Sequence, residues 1–230
     1  AGFSGQGLTG KIIDIDIEDV AFYLGCGKDS LALDFISGGK AMLVAMAAGD
    51  DRIRISPTYA NEITLSGGDG TDLISLDDSA DSTNRSITVT GRNFTGLLSG
   101  SAEIMVATDI EAAELLLGGG YVDVTINGAT LPLVVKGEEG AYTYTVTSLD
   151  AGQQVDLYGG DGWYDKLYVG DQDGSASVYG TVNFHAGATG SEVYVYNLAA
   201  SGALWVEGGA GSDSLALDGG ATGTVQYIDG

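Results

Sequence analysis

Aspartates set in glycine-rich turns are the residues of this 230-residue chain with the clearest chemistry. Gly67-Gly68-Asp69-Gly70-Thr71-Asp72 and Gly208-Gly209-Ala210-Gly211-Ser212-Asp213 share one pattern, and Gly159-Gly160-Asp161-Gly162-Trp163-Tyr164-Asp165 repeats it with one extra residue. Gly27-Lys28-Asp29 and Gly49-Asp50-Asp51 keep its second half. Glycine lets the backbone turn left-handed and present its carbonyls, and aspartate adds a carboxylate, so each turn offers the oxygen ligands that a hard cation such as Ca2+ requires. The candidate Ca2+ set is Asp29, Asp50, Asp51, Gly67, Asp69, Gly70, Asp72, Asp161, Asp165, Gly208, Gly211 and Asp213. The competing reading is a plain turn, in which each aspartate bonds its own backbone two residues on.

Short apolar strands flank these turns and must position them. Phe22-Tyr23-Leu24 precedes the first turn and Ser30-Leu31-Ala32-Leu33 follows it; Leu43-Val44-Ala45-Met46 and Arg52-Ile53-Arg54-Ile55 flank the second; Ile63-Thr64-Leu65 and Leu73-Ile74-Ser75-Leu76 flank the third. Val155-Asp156-Leu157 and Leu204-Trp205-Val206 lead into the later ones. Asp29, Asp51 and Asp72 stand 22 and 21 residues apart, and Asp165 and Asp213 stand 48 apart, a little over two such periods. A unit of about 21 residues with strands this short cannot bury a face alone, so successive units must stack. The expectation is an all-β fold, a right-handed parallel β-helix (β-solenoid) of about 21-residue coils. It is read as a single domain over 1–230, with regular coils in 1–91 and 151–230. Spacing by two turns Leu31 and Leu33, Ile53 and Ile55, and Leu215 and Leu217 inward.

Between 92 and 150 the pattern weakens. Glu103-Ile104-Met105-Val106 and Leu115-Leu116-Leu117 form one degenerate coil, with a helical turn over Asp109–Glu114 in place of the glycine turn. Tyr121–Ile126, Asn127-Gly128 and Ala129–Val135 read as a β-hairpin excursion near 121–135, because Asn-Gly suits a two-residue type I′ turn.

The two full turns fit the G-G-x-G-x-D-x-U-x nonapeptide at every defined position. Here the chain resembles the calcium-binding glycine/aspartate repeats of the RTX family, in which calcium is held between loops of successive coils. Family repeats run in tandem every nine residues, whereas here one turn falls in each coil. That longer spacing looks like the β-strand repeat segments of giant bacterial surface proteins. The resemblance covers about two thirds of the chain and implies a calcium-stabilised extracellular scaffold.

Composition agrees. Nine Lys+Arg against 32 Asp+Glu give a net charge of −23, which excludes unaided binding to nucleic acid or an anionic membrane. Leu, Ile, Val and Phe number 58, enough for a core in spite of that charge. One cysteine, Cys26, excludes an internal disulfide and a cysteine-rich zinc site, and no apolar run is long enough to insert in a membrane.

Parallel β-helices also carry polysaccharide lyases and epimerases, so an enzyme is the competing class. Arg52 and Arg54 beside Asp50 and Asp51 are the candidate base site, against a reading as outward charges between Ile53 and Ile55. His185 is the single histidine and reads as structural. Tyr142 with Tyr144, Trp163 with Tyr164 and Tyr168, and Tyr194 with Tyr196 read as an aromatic ladder, or around Trp163 and Tyr164 as a carbohydrate-stacking platform.

The reading is a structural or adhesive, non-catalytic solenoid: a segment or subunit of a surface layer, fibre or giant adhesin. The alternative is a polysaccharide lyase or epimerase, or a carbohydrate-binding module. Expected partners are further copies or a continuing chain stacked on strands 10–17 and 224–228, and a cell-surface polysaccharide.

Overall fold

The computed structural model describes residues 19–34, 41–56, 62–97 and 103–228. The alternating segment 10–17 and the last two residues lie outside this range. Twenty strands, numbered β1 to β20 in chain order, account for the regular structure, and no helix occurs among the described residues. The chain is a parallel β-solenoid whose described residues fall into two compact units, Ala1–Asp78 with Arg92–Leu115, and Ser79–Gly91 with Leu116–Gly230.

In the first unit, β1 (Asp19–Tyr23), β3 (Ala41–Ala45) and β5 (Glu62–Ser66) pair in parallel on one sheet, and β2 (Ser30–Leu33), β4 (Arg52–Ile55) and β6 (Leu73–Asp77) on the other. Each coil contributes one strand to each sheet. Alternation does the rest: Ile53 and Ile55 are buried while Arg52 and Arg54, alternating with them, point out, and Leu31, Leu33, Ile63, Leu65, Ile74 and Leu76 line the same interior. At about 1.5–3 kcal/mol for each side chain fully buried, these inward rows supply the driving force for stacking.

The second unit repeats the plan. β11 (Tyr121–Asn127), β13 (Ala141–Ser148), β15 (Asp165–Val169), β17 (Ser191–Val195) and β19 (Ser214–Leu217) form one parallel row. β12 (Leu133–Lys136), β14 (Gln154–Tyr158), β16 (Thr181–His185), β18 (Ala203–Glu207) and β20 (Thr224–Ile228) form the other. Most coils keep the expected length: Val182 stands opposite Leu204, and Leu204 opposite Val225, 22 and 21 residues on. The coil from Asp165 to Ser191 takes 26, the excess being a loop at Asp171–Ser175 closed by its own aspartates. The inward positions of the last coil are less covered, with Leu217 56% exposed and Leu215, Val225 and Tyr227 half-buried, because no described strand lies beyond them.

Two local expectations are overturned. The hairpin expected near 121–135 does not form: β11 pairs in parallel with β13, and β12 pairs with β14 in the opposite sheet. Gly128 does adopt the left-handed φ of +68° that Asn-Gly favours, but it spends it on a corner between sheets. Its N–H donates to Ser148 O at 2.9 Å, and Ser148 Oγ donates to Asn127 Oδ1 at 2.8 Å, so the corner is held by the next coil. Antiparallel pairing occurs earlier, between β8 (Asn93–Thr95) and β9 (Glu103–Val106). The helical turn over Asp109–Glu114 is cut to a single turn closed by Ile110 N–H on Ala107 O, followed by strand β10 (Ala112–Leu116). Ala113 and Leu115 are buried at a period of two, which a helix would not have satisfied.

Candidate functional site

The corner that joins β1 to β2, β3 to β4 and β5 to β6 is where the glycine turns stack. Cys26, Ala48 and Asp69 bridge one another in parallel, and Gly27 and Gly49 N–H groups donate to Ala48 O and Asp69 O at 2.6 and 2.7 Å. The glycines permit this approach. A side chain on Gly68, which has φ +95°, would sit 1.9 Å from Ala47 O, and one on Gly70 would sit 1.9 Å from Gly49 O. The second and third glycines of the motif are thus places where one coil's backbone lies against its neighbour's.

The motif aspartates follow in a column. Asp29 N–H donates to Asp51 Oδ1 at 2.6 Å, Asp51 N–H donates to Asp72 Oδ1 at 2.8 Å, and Asp72 N–H donates to Glu111 Oε2 at 2.6 Å. Asp29, Asp51 and Asp72 are buried. The carboxylates of Asp51 and Asp72 each satisfy the backbone of the coil before, not their own turn, so the plain Asx turn is not what these residues make. At the strand spacing of about 4.8 Å and an effective dielectric of about 20, two charged neighbours repel by about 3 kcal/mol. A hydrogen bond to a charged group returns about 1.5–3 kcal/mol, so the column stands near balance unless something neutralises it.

Where the glycine turn is missing, Asp109 replaces it. Its carboxylate accepts Ser66 Oγ at 2.7 Å and the Gly67 and Gly68 N–H groups at 3.1 Å each. Burial opposes its charged form, but these donors outweigh it and hold its carboxyl below the usual carboxylate range. Asp72 is the reverse. Burial, joined by the charges of Asp51, Glu111 and Asp109, raises its carboxyl against the Asp51 N–H bond that lowers it.

In the second unit the column is interrupted. Register places Tyr142, Asp165, Ser191 and Asp213 in successive coils, so the carboxylates are spaced by a hydroxyl. Tyr142 N–H donates to Asp165 Oδ1 at 3.1 Å, and Ser191 Oγ to Asp213 Oδ1 at 2.8 Å. Asp165 is fully buried, which pushes its carboxyl up to about 7 even though the N–H groups of Tyr142, Gly187 and Gly160 pull the other way. The Tyr142 hydroxyl organises the turn before it, accepting Glu138 and Gly140 N–H groups and donating to Gly118 O at 2.6 Å.

One oxygen of each column aspartate is left over. Oδ2 of Asp29, Asp51, Asp72, Asp165 and Asp213 is buried without a hydrogen-bond partner. The first motif glycine makes room for it: a side chain on Gly67, Gly159 or Gly208 would meet Oδ2 of Asp72, Asp165 or Asp213 at 2.2, 2.1 and 2.9 Å. Such orphaned carboxylate oxygens beside glycine backbone suit a hard cation, and equally a proton. The remaining candidates stand apart. Asp50, Asp69 and Asp161 are exposed, Asp50 accepting Thr71 N–H at 3.2 Å, and Gly70 and Gly211 serve close stacking. Among the described residues no three His, Cys, Asp or Glu side chains converge as a chelating group, so a cation here would take most of its oxygens from turn carbonyls.

Glu111, Asp109, Tyr142 and Ser191 escape a reading of the sequence because none sits in a motif position of a glycine turn. The signal for the first two is the acidic pair at the position where a turn is due.

The other candidates are each engaged by neighbouring side chains. Arg54 forks onto Asp77 Oδ2 at 2.8 and 2.5 Å and reaches Asp34 at 3.4 Å, while Arg52 pairs with Glu114 at 3.5 Å, so both are outward charges that offset acidic neighbours. His185 stacks on Tyr158 at 4.4 Å and bonds Glu207 at 2.7 Å. Of the expected aromatic ladder, Tyr168, Tyr194 and Tyr196 stack nearly parallel with centroids 5.3–6.5 Å apart, while Tyr142 and Tyr144 stack on each other in the interior.

Comparison of the chain with protein-family models, with curated proteins and with solved structures returns no match.

Proposed function

We propose that this chain is a non-catalytic structural or adhesive β-solenoid, a segment or subunit of a bacterial or archaeal surface layer, fibre or adhesin, stabilised by Ca2+ at its aspartate columns. The observation that carries the reading is the row of buried carboxylate oxygens without partners on Asp29, Asp51 and Asp72. Stacked like charges in a low-dielectric corner call for a counter-charge, and calcium is abundant outside cells. Asp51 and Asp72, with the carbonyls of the glycine turns, would hold the ion. Bound there it would relieve the repulsion between neighbouring coils and lock their register.

The chemistry elsewhere favours a scaffold over an enzyme. The arginines expected to serve a lyase are engaged by Asp77, Asp34 and Glu114, and the histidine is stacked on Tyr158 and hydrogen-bonded to Glu207. The exposed Leu217 and the half-buried Leu215 and Val225 fit a further coil laid on β19 and β20, from a continuing chain or a second copy. Sedimentation at rising concentration, with calcium and with EGTA, tests the assembly: calcium-dependent association is expected, and a monomer under both conditions would remove it. Release of unsaturated uronate from acidic polysaccharides would overturn the non-catalytic reading.

A further inference from the structure

The extra residue in the turn Gly159–Asp165 has a structural outcome of its own. Trp163 is pushed outward, 62% exposed, and its ring lies 6.4 Å from that of Tyr121, itself 60% exposed, with the planes inclined at 42°. Tyr164, the neighbour in sequence, is not its partner and donates its hydroxyl to Ser191 O at 3.2 Å. Ala141, paired with Tyr121 in the intervening strand, is small enough to leave a floor between the rings. The cleft so formed encloses about 170 Å3, with Ser82, Asn84 and Gly119 on its polar side.

The two walls differ in chemistry. Two aromatic faces held open at an angle leave a large apolar area in water, which is a cost unless something covers them. Asn84, a lining residue, already accepts the Tyr121 N–H on its Oδ1 at 3.1 Å, which leaves its amide NH2 as a donor, and Ser82 lines the same cleft. Space above Gly119 is open, with no atom within 4 Å of where a side chain would begin. A ligand that fits has one apolar face and a rim of hydroxyls. The volume, below the roughly 300 Å3 at which drug-sized sites start, admits a single ring.

We infer that this cleft binds one neutral pyranose unit of a glycan, its C–H face stacked on Trp163 and Tyr121 and its hydroxyls on Asn84 and Ser82. Charge selects the class. A chain of net −23 repels uronates and other anionic sugars, and the nearby Arg85 is engaged by Asp81. No column aspartate lines the cleft, although Trp163 belongs to the same turn as Asp161 and Asp165.

The chain has two tryptophans, so Trp205→Phe leaves Trp163 as the sole indole reporter. In that background, emission is titrated with methyl β-glucopyranoside, methyl α-mannopyranoside and methyl β-galactopyranoside, with glucuronate as the anionic control. A saturable change is expected with at least one of the three at a Kd on the order of millimolar, the usual strength of a small contact of this kind. Glucuronate should bind at least about tenfold more weakly, and Tyr121→Ala should weaken the sugar by about tenfold or more. Gly119→Leu, which fills the open space, should abolish the response; should it also lower the melting temperature, Tyr121→Ala decides. No saturable change with any of the three sugars, an equal response to glucuronate, or a response that survives Tyr121→Ala would each overturn the inference.

Discussion

The backbone N–H of Asp29 donates to the carboxylate of Asp51, 22 residues later, at 2.6 Å. That bond joins two coils through a side chain where the sheets themselves have ended, and Asp51 repeats it with Asp72. Asp51→Ala would leave the Asp29 N–H buried and unpaired, with an expected loss of about 1–3 kcal/mol in urea unfolding. Asp51→Asn keeps an acceptor and sheds the charge. In the absence of calcium it should lie within about 1 kcal/mol of the parent, or above it.

Asp165 should give stability a pH dependence of defined sign. Its folded-state carboxyl is raised to about 7, while the unfolded value is about 3.9. A raised carboxyl stabilises the fold fully below the unfolded value, and the contribution fades as pH rises toward 7. Between pH 5 and 8 in EGTA the parent is expected to lose about 2–3 kcal/mol that Asp165→Asn does not lose. Parallel pH profiles of the two proteins would contradict this. The raised Asp72 acts in the same direction.

Glycine substitutions should separate stacking from turning. Gly68→Ala places a methyl 1.9 Å from Ala47 O at a left-handed φ of +95°, and is expected to cost at least about 3 kcal/mol. A methyl on Gly25 would have no neighbour within 4 Å and Gly25 has no left-handed φ, so Gly25→Ala should change stability by no more than about 0.5 kcal/mol. Thermal unfolding of both variants checks the pair.

The interior rows should behave as a close-packed core. Leu65 is wholly buried, and Leu65→Ala is expected to lower stability by about 2–5 kcal/mol in denaturant titration.

Much of this is legible from spacing. The intervals between Asp29, Asp51 and Asp72 give the coil length, and the alternation around Ile53 and Ile55 gives the inward face, because stacking and pleat impose those periods directly. The Asn127-Gly128 corner reads wrongly as a hairpin because a left-handed glycine serves a hairpin and a solenoid corner alike, and only the partner strand tells them apart. The columns are half-legible. Asp51 and Asp72 are visible as turn residues, but their role as acceptors for the preceding coil depends on register, and Tyr142 and Ser191 enter the column by register alone. The pairing of Trp163 with Tyr121 spans two coils and leaves no local mark.

Calcium is proposed to complete the buried carboxylate columns. Differential scanning calorimetry of the chain at pH 8 in millimolar calcium and in EGTA tests it most directly, since an ion that binds only the folded form must raise its melting temperature. The expectation is a rise of several degrees with calcium, reversed by EGTA and reduced in Asp72→Asn. Identical melting curves in calcium and EGTA would contradict it, and a protein stabilised only by lowering the pH would assign the columns to protons instead.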